Sequence, residues 1–139
     1  MLQDLRDHCD AVEQCYEFML AYAAQGLPRD SGSSSGEKLR GLLGRAVEAV
    51  SLLPGAYEAA ISQRDLQPVD KHRAFLSVLT RDAGDALAAM ALVLAQPAIS
   101  SQLVDNLNAS IHLRSLLTDL FLIDEIAKVS QSSVPNNIS

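Results

Sequence analysis

Three side chains of metal-binding type fall where a helical fold would bring them together. Cys9, His72 and Asp124 each lie on the inward side of a predicted helix, with His8 and Glu125 beside them. Sulfur, imidazole and carboxylate together form a ligand set that suits zinc. Alternatively, His72 only hydrogen-bonds a carboxylate near one end of the fold, as ionisable residues on a packing seam commonly do. The spacing leaves both interpretations open.

His112 offers a second kind of chemistry, phosphotransfer. Histidine phosphotransfer modules are helical bundles with an exposed reactive histidine in the middle of a helix, and His112 lies on the flank of the last predicted helix, before Arg114 and Ser115. A phosphoaccepting histidine needs solvent access, a nearby cation and small neighbours. Arg114 supplies the cation, but Leu113 and Leu116 stand where small residues would be expected. His112 is therefore a candidate by analogy of fold alone.

The sequence contains none of the common catalytic or cofactor motifs. It has no nucleophile elbow, no glycine-rich phosphate loop after a strand, no paired zinc cysteines and no His-Glu-x-x-His. A Glu-x-x-His pair of the kind that holds a di-iron site in helical bundles is also missing. Asp82, Asp85, Asp105 and Asp119 are typical of solvated helix faces. We therefore expect a protein with no catalytic residues and no cofactor.

Composition favours one small helical domain. The chain has 139 residues, of which 48% are hydrophobic and only 4% aromatic. An interior of Leu, Ala, Val and Ile suits packed helices better than a sheet, so we expect an all-α fold. The formal net charge is −6, which argues against nucleic acid or an anionic membrane surface as partner.

The cysteines and the apolar runs bear on location. Cys9 and Cys15 lie six residues apart on one predicted helix, about 9 Å along its axis, which is too far for a disulfide and compatible with a reducing compartment. The first ten residues are charged and lack the apolar core of a secretory signal. The apolar run 86–104 is interrupted by Gln96-Pro97 and is too short to span a membrane. We expect a cytoplasmic protein without membrane insertion.

Apolar residues spaced by three and four predict four helices. The first covers Leu2–Gln25, the second starts near Glu37, the third follows Pro68, and the fourth covers Ile99–Lys128. The spacing of the second keeps its phase through Pro54-Gly55, which predicts one kinked helix rather than two. Four such helices predict an antiparallel, up-down-up-down four-helix bundle.

The remaining segments are polar. Residues 27–36 are rich in Gly and Ser and are expected to form a flexible connector, long enough to let two copies exchange a helix. Residues 130–139 are expected to be a disordered tail. The single domain then covers residues 1–129.

The fourth predicted helix carries two apolar stripes on nearly opposite sides. The first stripe suits the core of the chain itself: Leu113, Leu116, Leu117, Leu120, Ile123 and Ala127, with Phe121 on its flank. The second stripe has no obvious partner within one small domain: Val104, Leu107, Ile111, Leu122, Ile126 and Val129. A helix of a small bundle usually buries one stripe and exposes the other to water.

The second stripe predicts association. A two-fold homodimer is the commonest closed assembly, so we expect the C-terminal helix to form a homodimer interface. A remaining apolar groove would bind a helix of another protein. The sequence thus predicts a small, acidic, non-enzymatic module for protein binding or regulation. A purely structural homodimer is the alternative.

Overall fold

The structure, a computed structural model, describes residues 2–133. This part of the chain consists of helices without any strand, which confirms the all-α prediction. The helices are α1 (Leu2–Ala23), α2 (Ser34–Gln63), α3 (Val69–Leu94), α4 (Ser101–Ala109) and α5 (Ile111–Ser133). Among them, none is both long enough and apolar enough to cross a bilayer.

The helices share one core of mostly aliphatic side chains. Each helix turns a face of three- and four-residue spacing inward, which places the side chains of successive turns above one another. Helix α1 packs on α2, α2 on α3, and α3 on α5, while α4 lies against α1. The largest fully buried side chains come from α1, α2, α3, α5 and the connector between α3 and α4: Tyr22, Tyr57, Met19, Leu39, Leu43, Leu53, Ile61, Leu79, Met90, Ile99, Leu113 and Leu116. Helix α4 contributes the buried Val104.

Helix α2 continues past Pro54, as its apolar phase predicts. Leu53 before the proline and Tyr57 after it are both buried on the same side. Packing on both sides of Pro54 therefore holds the helix together where local propensity would end it. The kink itself stays a prediction.

The predicted fourth helix is wrong in one respect, because the chain breaks at Ser110. Ser110 adopts extended backbone angles, and its Oγ accepts a hydrogen bond of 3.3 Å from the Leu113 N–H at the start of α5. Its own N–H donates to the Leu107 carbonyl. A continuous helix would turn Val104 and Leu107 away from the face that carries Leu113. The break lets all three of these residues enter one core, where they are buried.

The connector between α1 and α2 holds a buried carboxylate that the sequence interpretation missed. Asp30 is 5% exposed, forms an ion pair with Arg40, and accepts a 2.7 Å hydrogen bond from the Ile99 N–H. Arg40 also donates to the carbonyls of Leu94 (3.0 Å) and Gln96 (2.7 Å). These contacts join the start of α2 to the end of α3, and we call them the polar clamp. Residues 27–36 thus include anchored residues, and α2 starts at Ser34 rather than near Glu37.

Tyr22 and Ser101 extend these contacts to the end of α1 and the start of α4. The Tyr22 hydroxyl donates to the Ile99 carbonyl (2.8 Å), and the Ser101 hydroxyl donates to the Tyr22 carbonyl (2.6 Å). The Leu27 N–H in turn donates to Ser101 Oγ (2.9 Å). The end of α1, the start of α2, the end of α3 and the start of α4 therefore meet at one end of the molecule.

The predicted C-terminal tail, residues 130–139, begins inside α5, which continues to Ser133. The rest of the predicted tail, residues 134–139, lies outside the described residues.

Gly36 and Gly41 form a matched pair for testing how the α1–α2 connector packs. A Cβ at Gly36 would lie 1.8 Å from the Asp30 carbonyl oxygen, whereas a Cβ at Gly41 would meet nothing within 4 Å. Gly36→Ala must shift backbone and should lower the free energy of unfolding by about 3 kcal/mol. Gly41→Ala should raise it by up to about 1 kcal/mol, because Ala favours a helix. Urea denaturation measures both, and equal effects would contradict the described approach of Asp30.

Asp30→Asn tests the ion pair of the polar clamp. The hydrogen bond from Arg40 holds the pKa of Asp30 below its ordinary value of 3.8, so the pair stabilises the fold above pH 4 and loses this contribution as acid protonates Asp30. Asp30→Asn should lower the free energy of unfolding by about 2–3 kcal/mol at pH 7. The difference from wild type should shrink below pH 4. Asp105→Asn, at an exposed position, should change neither the free energy of unfolding at pH 7 nor its dependence on pH. If the difference between Asp30→Asn and wild type stays constant down to pH 2, the Asp30–Arg40 ion pair is not its source.

Candidate functional site

An apolar groove lies at the end of the molecule opposite the polar clamp. Its volume is about 690 Å³, within the range of sites that bind ligands or helices. The start of α1, the end of α2, the start of α3 and the second half of α5 meet there. The apolar lining consists of Leu5, Tyr57, Leu66, Pro68, Phe75, Leu122, Ile123, Ile126, Ala127 and Val129.

One wall of the groove continues into an exposed apolar stripe on α5. Leu122, Ile126 and Val129 share one helix face, and their exposed fractions are 49%, 50% and 60%. We call these three residues the α5 stripe. Ile123 and Ala127 lie further round the helix, and Ile123 is buried. The groove is therefore open on the side of the stripe.

The charges of the groove are divided between its walls. Arg64, directly after α2, and Lys71, in the first turn of α3, lie on one side, and Glu125 lies on α5. Among the described residues, no acidic group lies within ion-pair distance of either cation, and no cation lies that close to Glu125. The groove thus offers two available cations and one available carboxylate in a chain of net charge −6.

Tyr57 and His72 form the polar contact inside the groove. The Tyr57 hydroxyl and His72 Nδ1 share a hydrogen bond of 2.7 Å, and the two rings meet edge to face. Burial raises the pKa of Tyr57 to about 12, so its hydroxyl stays protonated at neutral pH. This arrangement fixes both rings inside the groove.

The structure does not assemble the metal site predicted from Cys9, His72 and Asp124. His72 is hydrogen-bonded to Tyr57, and Asp124 forms an ion pair of 3.3 Å with Lys128. Burial, followed by the negative charges of nearby acidic residues, raises the pKa of Cys9 to about 12, so its sulfur is a protonated thiol. Within the described part of the chain, no three His, Cys, Asp or Glu side chains are placed to hold a metal ion. The alternative of a hydrogen-bonded histidine is closer to the structure, with Tyr57 in place of a carboxylate.

The six residues of the predicted interface fall into three groups. Val104 and Leu107 on α4 are buried in the core of their own chain, so they are not available to a partner. This follows from the break at Ser110. Ile111 is exposed at the start of α5, eleven residues before Leu122, and does not line the groove. The three residues of the α5 stripe remain exposed.

His112 is exposed and is the second residue of α5. Its position at a helix start differs from the mid-helix position of phosphoaccepting histidines. Phosphotransfer through His112 stays a prediction.

Asp119 is a buried group that the sequence interpretation placed on a solvated face. It is 5% exposed, its Oδ2 has no hydrogen-bond partner, and with Asp82 it borders a second cavity of about 450 Å³. Burial, a hydrogen bond with Asp82 and the like charge of Asp82 raise the pKa of Asp119 to about 7. Its helical spacing gives a signal, because Asp119 lies three residues after Leu116 and four before Ile123, on their side of α5.

Comparison with known proteins assigns no family. No protein-family model matches the chain, and neither a curated protein nor a solved structure shows significant similarity to it. Functional proposals therefore rest on the groove and its residues.

The Asp82–Asp119 pair predicts a pH-dependent stability. Between pH 4 and about 7 Asp119 keeps its proton in the folded chain and loses it on unfolding, so the free energy of unfolding falls as pH rises through this range. Asp119→Asn resembles the protonated acid and should be more stable than wild type by about 1–3 kcal/mol at pH 8. Its stability should also change less between pH 5 and pH 8. Asp85→Asn, an exposed change on α3, is the control, and an unaltered pH profile in Asp119→Asn would contradict the raised pKa.

Proposed function

We propose that this protein is a non-enzymatic, helix-binding module that associates with a second copy of itself through α5 and acts in regulation by binding rather than by catalysis. The observation that carries the proposal is the α5 stripe, three large apolar side chains about half exposed beside an apolar groove. Amphipathic helices bind such grooves through apolar residues at spacings of three and four. The stripe itself has this spacing.

The size of the stripe favours a shared groove over contact between stripes alone. Burying the exposed part of one aliphatic side chain contributes about 1 kcal/mol, so three from each copy contribute about 6 kcal/mol. Association costs about 4–15 kcal/mol in lost freedom of motion. The stripe alone would therefore give a weak dimer. A stable one needs further apolar surface, which the groove provides at Leu66 and Phe75.

The state of the nucleophilic groups favours binding over catalysis. Burial raises the pKa values of both cysteine thiols, Cys9 and Cys15, to about 12, and that of the Tyr57 hydroxyl likewise. These groups are protonated at neutral pH and do not act as nucleophiles in that form.

Two further predictions belong to this proposal. Successive helices are proposed to alternate in direction as in a four-helix bundle, with α4 and α5 together as the fourth element. The meeting of helix ends at the polar clamp and at the groove supports this arrangement. A cytoplasmic location is proposed because both cysteines are unpaired and buried, as is common in reducing compartments.

Aspartate in the α5 stripe tests self-association. Leu122→Asp and Ile126→Asp should each weaken the dimer by about tenfold or more, because a carboxylate must then be desolvated in the interface. Sedimentation equilibrium over a micromolar concentration range measures the dissociation constant.

Leu52→Asp is the matched control. Leu52 lies on α2 outside the groove and is 49% exposed, the same fraction as Leu122. It should leave the dimer unchanged. A wild-type chain that sediments as a monomer at all concentrations would refute self-association, and equal effects of all three variants would remove its assignment to α5.

A further inference from the structure

We infer that the groove of each copy receives the α5 helix of the other, that the two α5 helices lie parallel, and that Glu125 of each copy faces Lys71 of the other. This inference rests on the proposed self-association and adds to it the orientation of the copies and the residues that set it.

The neighbours of α5 show which side of the stripe each wall occupies. Asp119 is close to Asp82 of α3, so α3 lies on the flank of the stripe that also bears Ile123. Glu125 lies on the opposite flank, because successive residues of a helix are rotated by roughly 100°. Each copy therefore has a carboxylate on one flank of its stripe. Lys71 belongs to the first turn of α3 and therefore lies on the other flank, the one that faces α3.

Helix direction decides which flanks meet. When two identical helices pack in parallel about a two-fold axis, the left flank of one faces the right flank of the other, as with the charged flanking positions of parallel coiled coils. Glu125 then faces the Lys71 wall twice in each dimer. In an antiparallel pair identical flanks meet, which brings Glu125 near Glu125 and Lys71 near Lys71. Like charges in apposition disfavour that arrangement.

The groove also has room and available charge for this occupant. It is open on the side of the stripe, and its apolar floor includes Phe75 and Ile123. Among the described residues, Lys71, Arg64 and Glu125 have no ion-pair partner within their own chain. A two-fold interface must be complementary to itself. The surface of this chain is complementary to itself, because a carboxylate flanks the α5 stripe and two cations line the groove that the stripe of the other copy would enter.

Charge reversal tests the pairing. Lys71→Glu and Glu125→Lys should each raise the dissociation constant of the homodimer about tenfold or more, because each places like charges together twice. An equimolar mixture of the two variants should recover dimerisation, since every pair in the mixed dimer is again of opposite sign. Sedimentation of each variant alone, and fluorescence anisotropy of one labelled variant titrated with the other, measure this.

Controls keep the outcome specific. Arg45→Glu and Glu48→Lys change net charge by the same amounts at exposed positions of α2 outside the groove, and should leave the dimer unchanged. Circular dichroism and thermal unfolding of every variant establish that it folds. If neither groove variant weakens a dimer that Leu122→Asp abolishes, or if mixing recovers nothing, the parallel arrangement is overturned and the proposed self-association stands.

Cross-linking gives an independent readout of direction. In a parallel pair each stripe residue faces its own counterpart, so Leu122→Cys and Val129→Cys should each form an intermolecular disulfide on mild oxidation. In an antiparallel pair these positions, about 10 Å apart along the helix, face one another instead. Rapid cross-linking only in a mixture of the two variants would overturn the inference. The native Cys9 and Cys15 are buried and do not compete.

Discussion

The ion pair between Asp30 and Arg40 constrains the rest of the structure, because it ties a connector, a helix start and a helix end together. The last carbonyls of a helix have no partner within it, and Arg40 donates to one of them, that of Leu94 at the end of α3, and to the carbonyl of Gln96 just after the helix. Replacing both partners of such a pair by apolar residues often costs little, whereas removing one partner leaves the other charge buried and unpaired, so the pair permits few alternative registers. With one end of the helices fixed by polar contacts, their opposite ends meet through apolar residues and leave the groove between them.

The break at Ser110 decides what α5 can do. It turns α4 so that Val104 and Leu107 fill the core beside α1, and α5 then needs to bury only its face toward α1 and α3. The side chains on its remaining face stay in solvent. The exposed apolar surface is therefore smaller than the six residues of the predicted interface suggest. The large apolar side chains of α5 that stay exposed are Ile111, Phe121 and the three residues of the α5 stripe, and the stripe is the part that borders the groove.

Local patterns predicted the all-α class and the starts of α1 and α3, because apolar spacing and a proline such as Pro68 act within a few residues. The continuity of α2 through Pro54 was also predictable. Leu53 before the proline and Tyr57 after it are four residues apart, which places both on one face of a single helix. The break at Ser110 was not, because a serine inside a periodic segment is common and only the tertiary position of α4 makes the break favourable. Asp30 and His72 show the same limit: their residue types suggested a loop and a metal ligand, and their partners are distant in sequence.

Charge and apolar surface have separate roles in the proposed association. Two copies that each carry a net charge of −6 repel one another at long range, so the driving force has to come from burial of the α5 stripe and the groove. The local pattern of Glu125 and Lys71 acts only within a few ångströms, where it distinguishes one helix direction from the other. Added salt screens the overall repulsion, which strengthens the dimer, and also screens the local attraction, which weakens it. The two effects of salt on the dissociation constant therefore partly cancel. Orientation, in contrast, depends on the local pattern alone, and a measurement of direction is therefore the more informative test of this interface.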